Sequence, residues 1–284
     1  MRAFRLAYDG RPFYGFQRQP DVPTVEGTLF EALRSLSVLS ADADRPEGYA
    51  AAGRTDAGVS AVDQTVGFVC PDWLRPRALN SALPGTIRAW ASADVDPDFH
   101  ATHHAVRRVY TYYVYAPRHD DRTLDGRPPI DDERAEAALD RLCGFHDFHS
   151  LTPDDHGTWR GVSGRLDRDG QWLAIELAAG GFARELVRRL VSVVRIVGTG
   201  ERPVGWIDAL LDPEPVDPRP PPAPPEPLVL SGVRYPGVEF DRDPEAADSG
   251  TVAFGERAIE ALARGRVSQA VVDRMAGPST DSPE

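Results

Sequence analysis

The sequence predicts an α+β fold, with two strand-and-helix halves forming one mixed, largely antiparallel sheet that carries helices on one face. Apolar and aromatic runs with strand character recur near residues 4–8, 66–68, 109–115, 172–178 and 228–235. Amphipathic stretches with capping residues fall between some of them. Strands and helices do not alternate in the regular order that a doubly wound parallel sheet requires.

Phe4, Leu6 and Tyr8 alternate up to Asp9-Gly10, a strand entering a turn. Thr24 can cap a helix that places Val25, Leu29, Leu33 and Leu36 on one face. A second strand is expected at residues 49–52, running into a glycine-bounded segment at 53–58, and a third is marked by Val66 and Phe68 and ended by Pro71. The second half opens on the β-branched and aromatic run 109–115. Asp131 or Asp132 can cap a helix through Ala135, Ala138, Leu139 and Leu142, with Gly144 where it would stop. A strand at 172–178 precedes a strong helix from about 183 to 197, closed by Gly198, and 228–235 supplies a late strand. Residues 213–227 hold nine prolines in fifteen positions, which excludes helix and central strand and leaves a stiff surface connection. The acidic last forty residues suggest one helix near 256–264 and a frayed polar tail at 277–284. The expected units are residues 1–104, 105–240 and a C-terminal extension at 241–284.

The chain has 284 residues, 41% of them hydrophobic, enough for a proper core. No run approaches a membrane span, and the start MRAFRLAYDG has no apolar stretch behind a basic beginning, so a cytoplasmic protein is expected. Net charge is −12, and all 32 basic residues are arginine. An acidic, lysine-free surface is what a very salty cytoplasm favours, and a GC-rich genome also favours arginine codons. Such a charge disfavours a non-specific nucleic-acid binder, so any RNA site must be a local basic patch. Cys70 and Cys143 stand far apart and read as reduced buried thiols.

The most informative segment is Ala52-Gly53-Arg54-Thr55-Asp56-Ala57-Gly58-Val59. Two glycines and an alanine remove bulk around one carboxylate, so a large planar ligand could come within bonding distance of Asp56. Arg54 could hold a phosphate or fill the space left by a displaced base. From the residues alone, a turn with an Asx hydrogen bond is the more economical reading.

The heptamer GRTDAGV resembles that of the tRNA pseudouridine synthases that modify positions 38 to 40 of the anticodon arm. So do Tyr8-Asp9-Gly10, the run from Phe13 to Gln19 (with Phe16 where Trp is usual), Thr24-Val25-Glu26-Gly27, Asn80 with Leu83-Pro84, and Phe99-His100-Ala101. Arg107-Arg108-Val109-Tyr110 and Phe182 with Leu186-Val187-Arg188-Arg189 complete a set in matching order over residues 4–235. The resemblance implies a two-lobed sheet, a homodimer that cradles tRNA, and neither metal nor organic cofactor. It implies that Asp56 is catalytic, acting on the uracil ring, on the ribose carbon or through a glycal. It further implies that Tyr110 stacks on the flipped uracil and can act as a base on C5, that Arg188 pairs with the carboxylate, and that Leu228 lies against the base. Ser60, where His is common, and Pro227, where glycine is common, depart from the pattern.

Without the resemblance, Tyr110 is one of four tyrosines crowding a strand, and Arg184, Arg188 and Arg195 form a solvated helix stripe opposite Leu186, Leu190, Val193, Val194 and Val197. Arg189 can pair with Glu185 one turn earlier and needs no functional role. The groups His100, His103, His104 and His146, His149, His156 lack the spacing and extra ligands of a metal site. A non-catalytic RNA-binding protein of the same fold is the main alternative. A hydrolase using paired carboxylates is disfavoured, because no second acid accompanies Asp56.

Overall fold

Ten strands join in one sheet in a computed structural model that describes residues 1–118, 126–214 and 216–275. In chain order the elements are β1 (Arg2–Tyr8), α1 (Val25–Ser35), β2 (Ala50–Ala51), β3 (Ser60–Phe68), α2 (Pro76–Asn80) and β4 (Ile87–Asp94). Then come β5 (Arg107–Tyr115), α3 (Asp132–Leu142), β6 (Gly144–Asp147), β7 (Trp159–Asp169), β8 (Trp172–Ala179) and α4 (Leu186–Gly198). The chain continues through α5 (Trp206–Leu211), β9 (Leu228–Arg234), β10 (Asp241–Arg242) and α6 (Pro244–Met275). The strand order is β10-β4-β1-β3-β9-β5-β8-β7-β6, with β2 also paired to β3. Neighbours run antiparallel except β3 and β9, which are parallel through Ser60 with Val229 and Ala61 with Leu230. The late strand β9 thus closes the gap between the two halves.

Each half has its own core. Phe4, Leu6 and Tyr8 of β1 pack with Leu29 and Leu33 of α1 and Phe68 of β3 in the first. Tyr112 of β5 and Ile175 and Leu177 of β8 pack with α3 and α4 in the second. Tyr110, partly buried, touches both. The caps stand where the sequence puts them: Thr24 Oγ1 accepts from Gly27 N–H at 3.2 Å, and the Asp131 carboxylate accepts from Arg134 N–H at 2.9 Å.

Two helices and three strands differ from the sequence expectation. The fourth helix starts at Leu186, three residues late, because Glu185 adopts φ 59°, a left-handed conformation that no helix propagates through. Arg184 therefore lies off the helical stripe, and its backbone N–H donates to Asp154 instead. The helix expected near 256–264 runs from Pro244 to Met275. Only Ala246, Ala247 and Gly250 in it are buried, so no apolar stripe marks its full length. Strands β4, β6 and β7 gave no clear sequence signal. Alanines (Ala89, Ala91, Ala93) make the buried face of β4, and β7 is largely exposed along its length. The polar tail at 277–284 lies outside the described residues.

Candidate active site

The loop carrying Asp56 links β2 to β3, and its path is fixed from several sides. Ala52 N–H donates to Thr65 O (2.8 Å), and Phe16 N–H to Thr55 O (3.0 Å). Thr55 and Tyr8 share a buried hydroxyl–hydroxyl hydrogen bond of 2.8 Å, and Gln64 Nε2 donates to Gly53 O at 2.8 Å. Val59 N–H closes a turn onto Asp56 O (3.1 Å). Gly10 passes so near that a Cβ there would stand 2.0 Å from Val59 O, so no other residue fits without displacing the backbone. Ser60, where a histidine is common in the resembling family, accepts from Gly10 N–H at 3.0 Å and ties these two segments together.

A buried guanidinium completes the frame. Arg108 of β5 donates through Nε and Nη2 to Ala52 O (2.8 and 2.7 Å), through Nη2 to Thr102 O (2.6 Å), and through Nη1 to Gly180 O. Burial pushes its pKa down, while the nearby tyrosines push it back. Carbonyl dipoles take the place of a counter-ion. This residue joins the Asp loop to the second half, and the sequence singled it out only as part of a motif.

The side chain of Asp56 is 34% exposed, and its Oδ2 accepts from Arg188 Nη1 at 3.1 Å. The Arg188 side chain is only 14% exposed, so the solvated stripe expected from helical periodicity does not hold at this position. Its Nε donates to Ala223 O at 2.6 Å, and Ala223 N–H donates to Arg188 O at 3.1 Å. The proline-rich segment therefore runs as a strap against α4 and reaches the loop itself. Gly58 has φ 82°, and a Cβ there would lie 3.1 Å from Pro225 Cγ.

Tyr110 stands beside this pair. Its hydroxyl lies 3.8 Å from where a Cβ on Gly53 would be, and its ring meets Phe182 edge-on at 5.4 Å. Burial first, and then the negative charge of Asp56, push its pKa up to about 12 against the opposing charge of Arg108, so it is a neutral phenol at physiological pH. Arg54 is exposed, with no hydrogen bond or ion pair among the described residues. Leu228 is 4% exposed and sits in the second core with Val59, paired across the ladder with Tyr112. The structure thus brings Asp56, Arg188 and Tyr110 together, leaves Arg54 free at the loop surface, and sets Leu228 behind them.

Other candidate groups lie elsewhere. The His100 and His103 rings are 4.2 Å apart, with ring nitrogens of His100 and His104 accepting from backbone N–H groups of the same turn. His146 bonds Cys143 O and His149 bonds Ser150. Among the described residues no three His, Cys, Asp or Glu side chains are grouped to hold a metal. The thiols of Cys70 and Cys143, both free and half-buried, are pushed up in pKa by burial. A cavity of about 960 Å³ lies apart from the Asp loop, lined by Met1, Arg2 and His103 with the acids Asp72, Asp94, Asp96, Asp98 and Glu239. Those acids would repel a phosphate backbone, so its size does not make it the nucleic-acid site.

Among the described residues no helix is long and apolar enough to cross a membrane. A family model described as tRNA pseudouridine synthase matches residues 138–236. A protein of Haloarcula marismortui called tRNA pseudouridine synthase A is 54% identical over 275 residues, covering 96% of this chain and 99% of that one. Proteins of the same name from Natronomonas pharaonis (55% over 273 residues, 95% and 98% covered) and Halobacterium salinarum (53% over 270 residues, 94% and 97%) are similar throughout. All three organisms are halophilic archaea, in keeping with the acidic, lysine-free composition.

Proposed function

The chain belongs to the tRNA pseudouridine synthase family, and from that premise we propose that it isomerises uridine to pseudouridine at positions 38, 39 and/or 40 of the anticodon arm, with Asp56 as nucleophile. The observation that carries the proposal is the Arg188–Asp56 pair at 3.1 Å, formed beside Tyr110 where the two cores meet.

The chemistry breaks the bond from ribose C1′ to uracil N1 and forms one from C1′ to C5, while a proton is lost from C5 and one is gained at N1, so that the product is an isomer of the substrate. The base is inaccessible inside a stacked stem, so it must flip out, at a cost of about a few kcal/mol. Asp56 has to be ionised to act as a nucleophile. Arg188 holds the carboxylate in place through a charge-assisted hydrogen bond. Its donors are fixed before substrate arrives, so little reorganisation is needed during reaction. Tyr110 offers a neutral ring on which the everted base stacks. Its raised pKa suits that role better than proton abstraction, since little phenolate exists near neutral pH. Arg54, exposed and without a hydrogen bond or ion pair among the described residues, holds a phosphate or fills the space the base leaves. Leu228 forms the apolar backing of the pocket.

We assign residues 1–104 to the catalytic half, 105–240 to the second half and 241–284 to an extension; the two cores support the first division in the main, with Leu230, Val233 and Tyr235 crossing into the first and Val59 into the second. The same reading makes the protein a cytoplasmic homodimer that cradles tRNA and works without metal or organic cofactor. The test is incubation with unmodified tRNA and mapping of pseudouridine, for wild type and Asp56→Asn. Product from wild type alone is expected; tRNA binding without product from wild type would favour a non-catalytic binding protein.

A further inference from the structure

We propose that Glu185 and Arg189 are positioning residues for the Arg188–Asp56 pair, acting through the proline-rich strap. The inference rests on the functional reading above and assigns work to two residues that a surface helix pair would leave idle.

Glu185 holds φ 59° and ψ 0°, a conformation costly for a residue with a side chain, immediately before α4. Its carboxylate accepts from Arg189 Nη2 at 2.7 Å. An ordinary i,i+4 pair lies in solvent and contributes little. Here the Arg189 side chain is only 12% exposed, and its Nε is buried with no partner among the described residues. A buried unpaired donor is costly and calls for a reason. The other arm of Arg189 supplies one, because Nη1 donates to Pro220 O in the strap. Three residues on, Ala223 holds Arg188 through both its N–H and its carbonyl, and Arg188 holds Asp56. Polar contacts joined by the covalent stretch from Pro220 to Ala223 thus lead from the strained start of α4, through the strap, to the carboxylate. Prolines suit this path, since a chain with few alternative conformations passes on the position of Pro220 to Ala223.

The test is a double-mutant cycle on tRNA turnover. Arg189→Met and Glu185→Gln are each made in the wild type and in an Arg188→Met background, with kcat, KM and Tm measured for every protein. Arg189→Met is expected to lower kcat on the order of 10- to 100-fold, as a small misplacement does, with KM for tRNA held within about twofold. Glu185→Gln should lose less, because its amide oxygen still accepts from Arg189. In the Arg188→Met background the Arg189→Met change should move kcat by less than about twofold, since its target is gone. Equal losses in both backgrounds, or a loss seen only in KM or Tm, overturn the proposal. Should Arg189→Met not fold, Glu185→Gly relieves the backbone strain while cutting the tie. It is expected to keep Tm and lose kcat, and wild-type kcat in that variant overturns the proposal. An active wild type with additive losses sinks this inference alone. A wild type that makes no pseudouridine sinks the functional reading, and the inference with it.

Discussion

Helices α4 and α6 follow opposite rules. The thirteen residues of α4 place seven apolar side chains in the second core and commit their polar corner, Arg188 and Arg189, to named partners. The thirty-two residues of α6 bury three, near the N-terminal end where the helix meets β4, and leave Ile259, Leu262, Val267 and Met275 exposed. Near the Asp loop α6 contributes one half-exposed contact, Arg257 to Asp9 at 3.4 Å. The comparison teaches that helical length and function are decoupled here. The short helix is locked because it holds an ion pair at the seam between two halves; the long one is held at one end only.

The comparison can be broken most directly at the pair itself. If Asp56 is the nucleophile proposed above, Asp56→Asn should lower pseudouridine formation by on the order of 10⁴-fold or more, with tRNA binding retained in a filter or gel-shift assay. Arg188→Met should cost about 10²- to 10³-fold in kcat, the range for removing one preorganised donor, and a wild-type rate in that variant would remove α4 from the mechanism. The core side of α4 is probed by Leu190→Ala at a fully buried position. About 2–5 kcal/mol of unfolding free energy should be lost, read from urea denaturation, because a cavity is left behind.

A smaller effect separates core from surface by pH. Burial is the first cause raising Tyr110, Tyr112 and Tyr235 from 10.0 to about 12. Raised phenols bind their protons more tightly in the folded state. Their contribution is therefore complete below pH 10 and lost as pH rises from 10 to 12. Tm measured across that window should fall, and Tyr112→Phe should flatten the fall. The smallest effect belongs to α6: Leu262→Gln should change stability by no more than about 0.5 kcal/mol and leave turnover unchanged. A large loss there would show that the distal helix is held by something beyond its own chain.

The same contrast explains what could be read in advance. Val25, Leu29 and Leu33 recur at helical spacing behind a capping Thr24, and α1 forms there. The stripe of α4 was equally plain, yet its start was misplaced because only tertiary contacts hold Glu185 at φ 59°. Nothing periodic announces α6, since most of it packs on nothing. At the site, Asp56, Arg188 and Tyr110 were recognisable through resemblance in motif and order, whereas local pattern suggested a turn, a solvated stripe and a crowded strand. No sequence pattern marks Arg108 as a clamp, because its acceptors are main-chain carbonyls, which any sequence possesses.

By itself the sequence determined which segments prefer helix or strand, where α1 and α3 begin, and which loop is stripped of bulk around a single acid. These follow from interactions within a few residues, where spacing, caps and glycines act. Tertiary structure decided that β9 enters between β3 and β5, that the proline strap lies against α4, and that an arginine 132 positions from Asp56 loses its solvent to face it. Such outcomes depend on which distant surfaces exclude water together, and no local period encodes that choice.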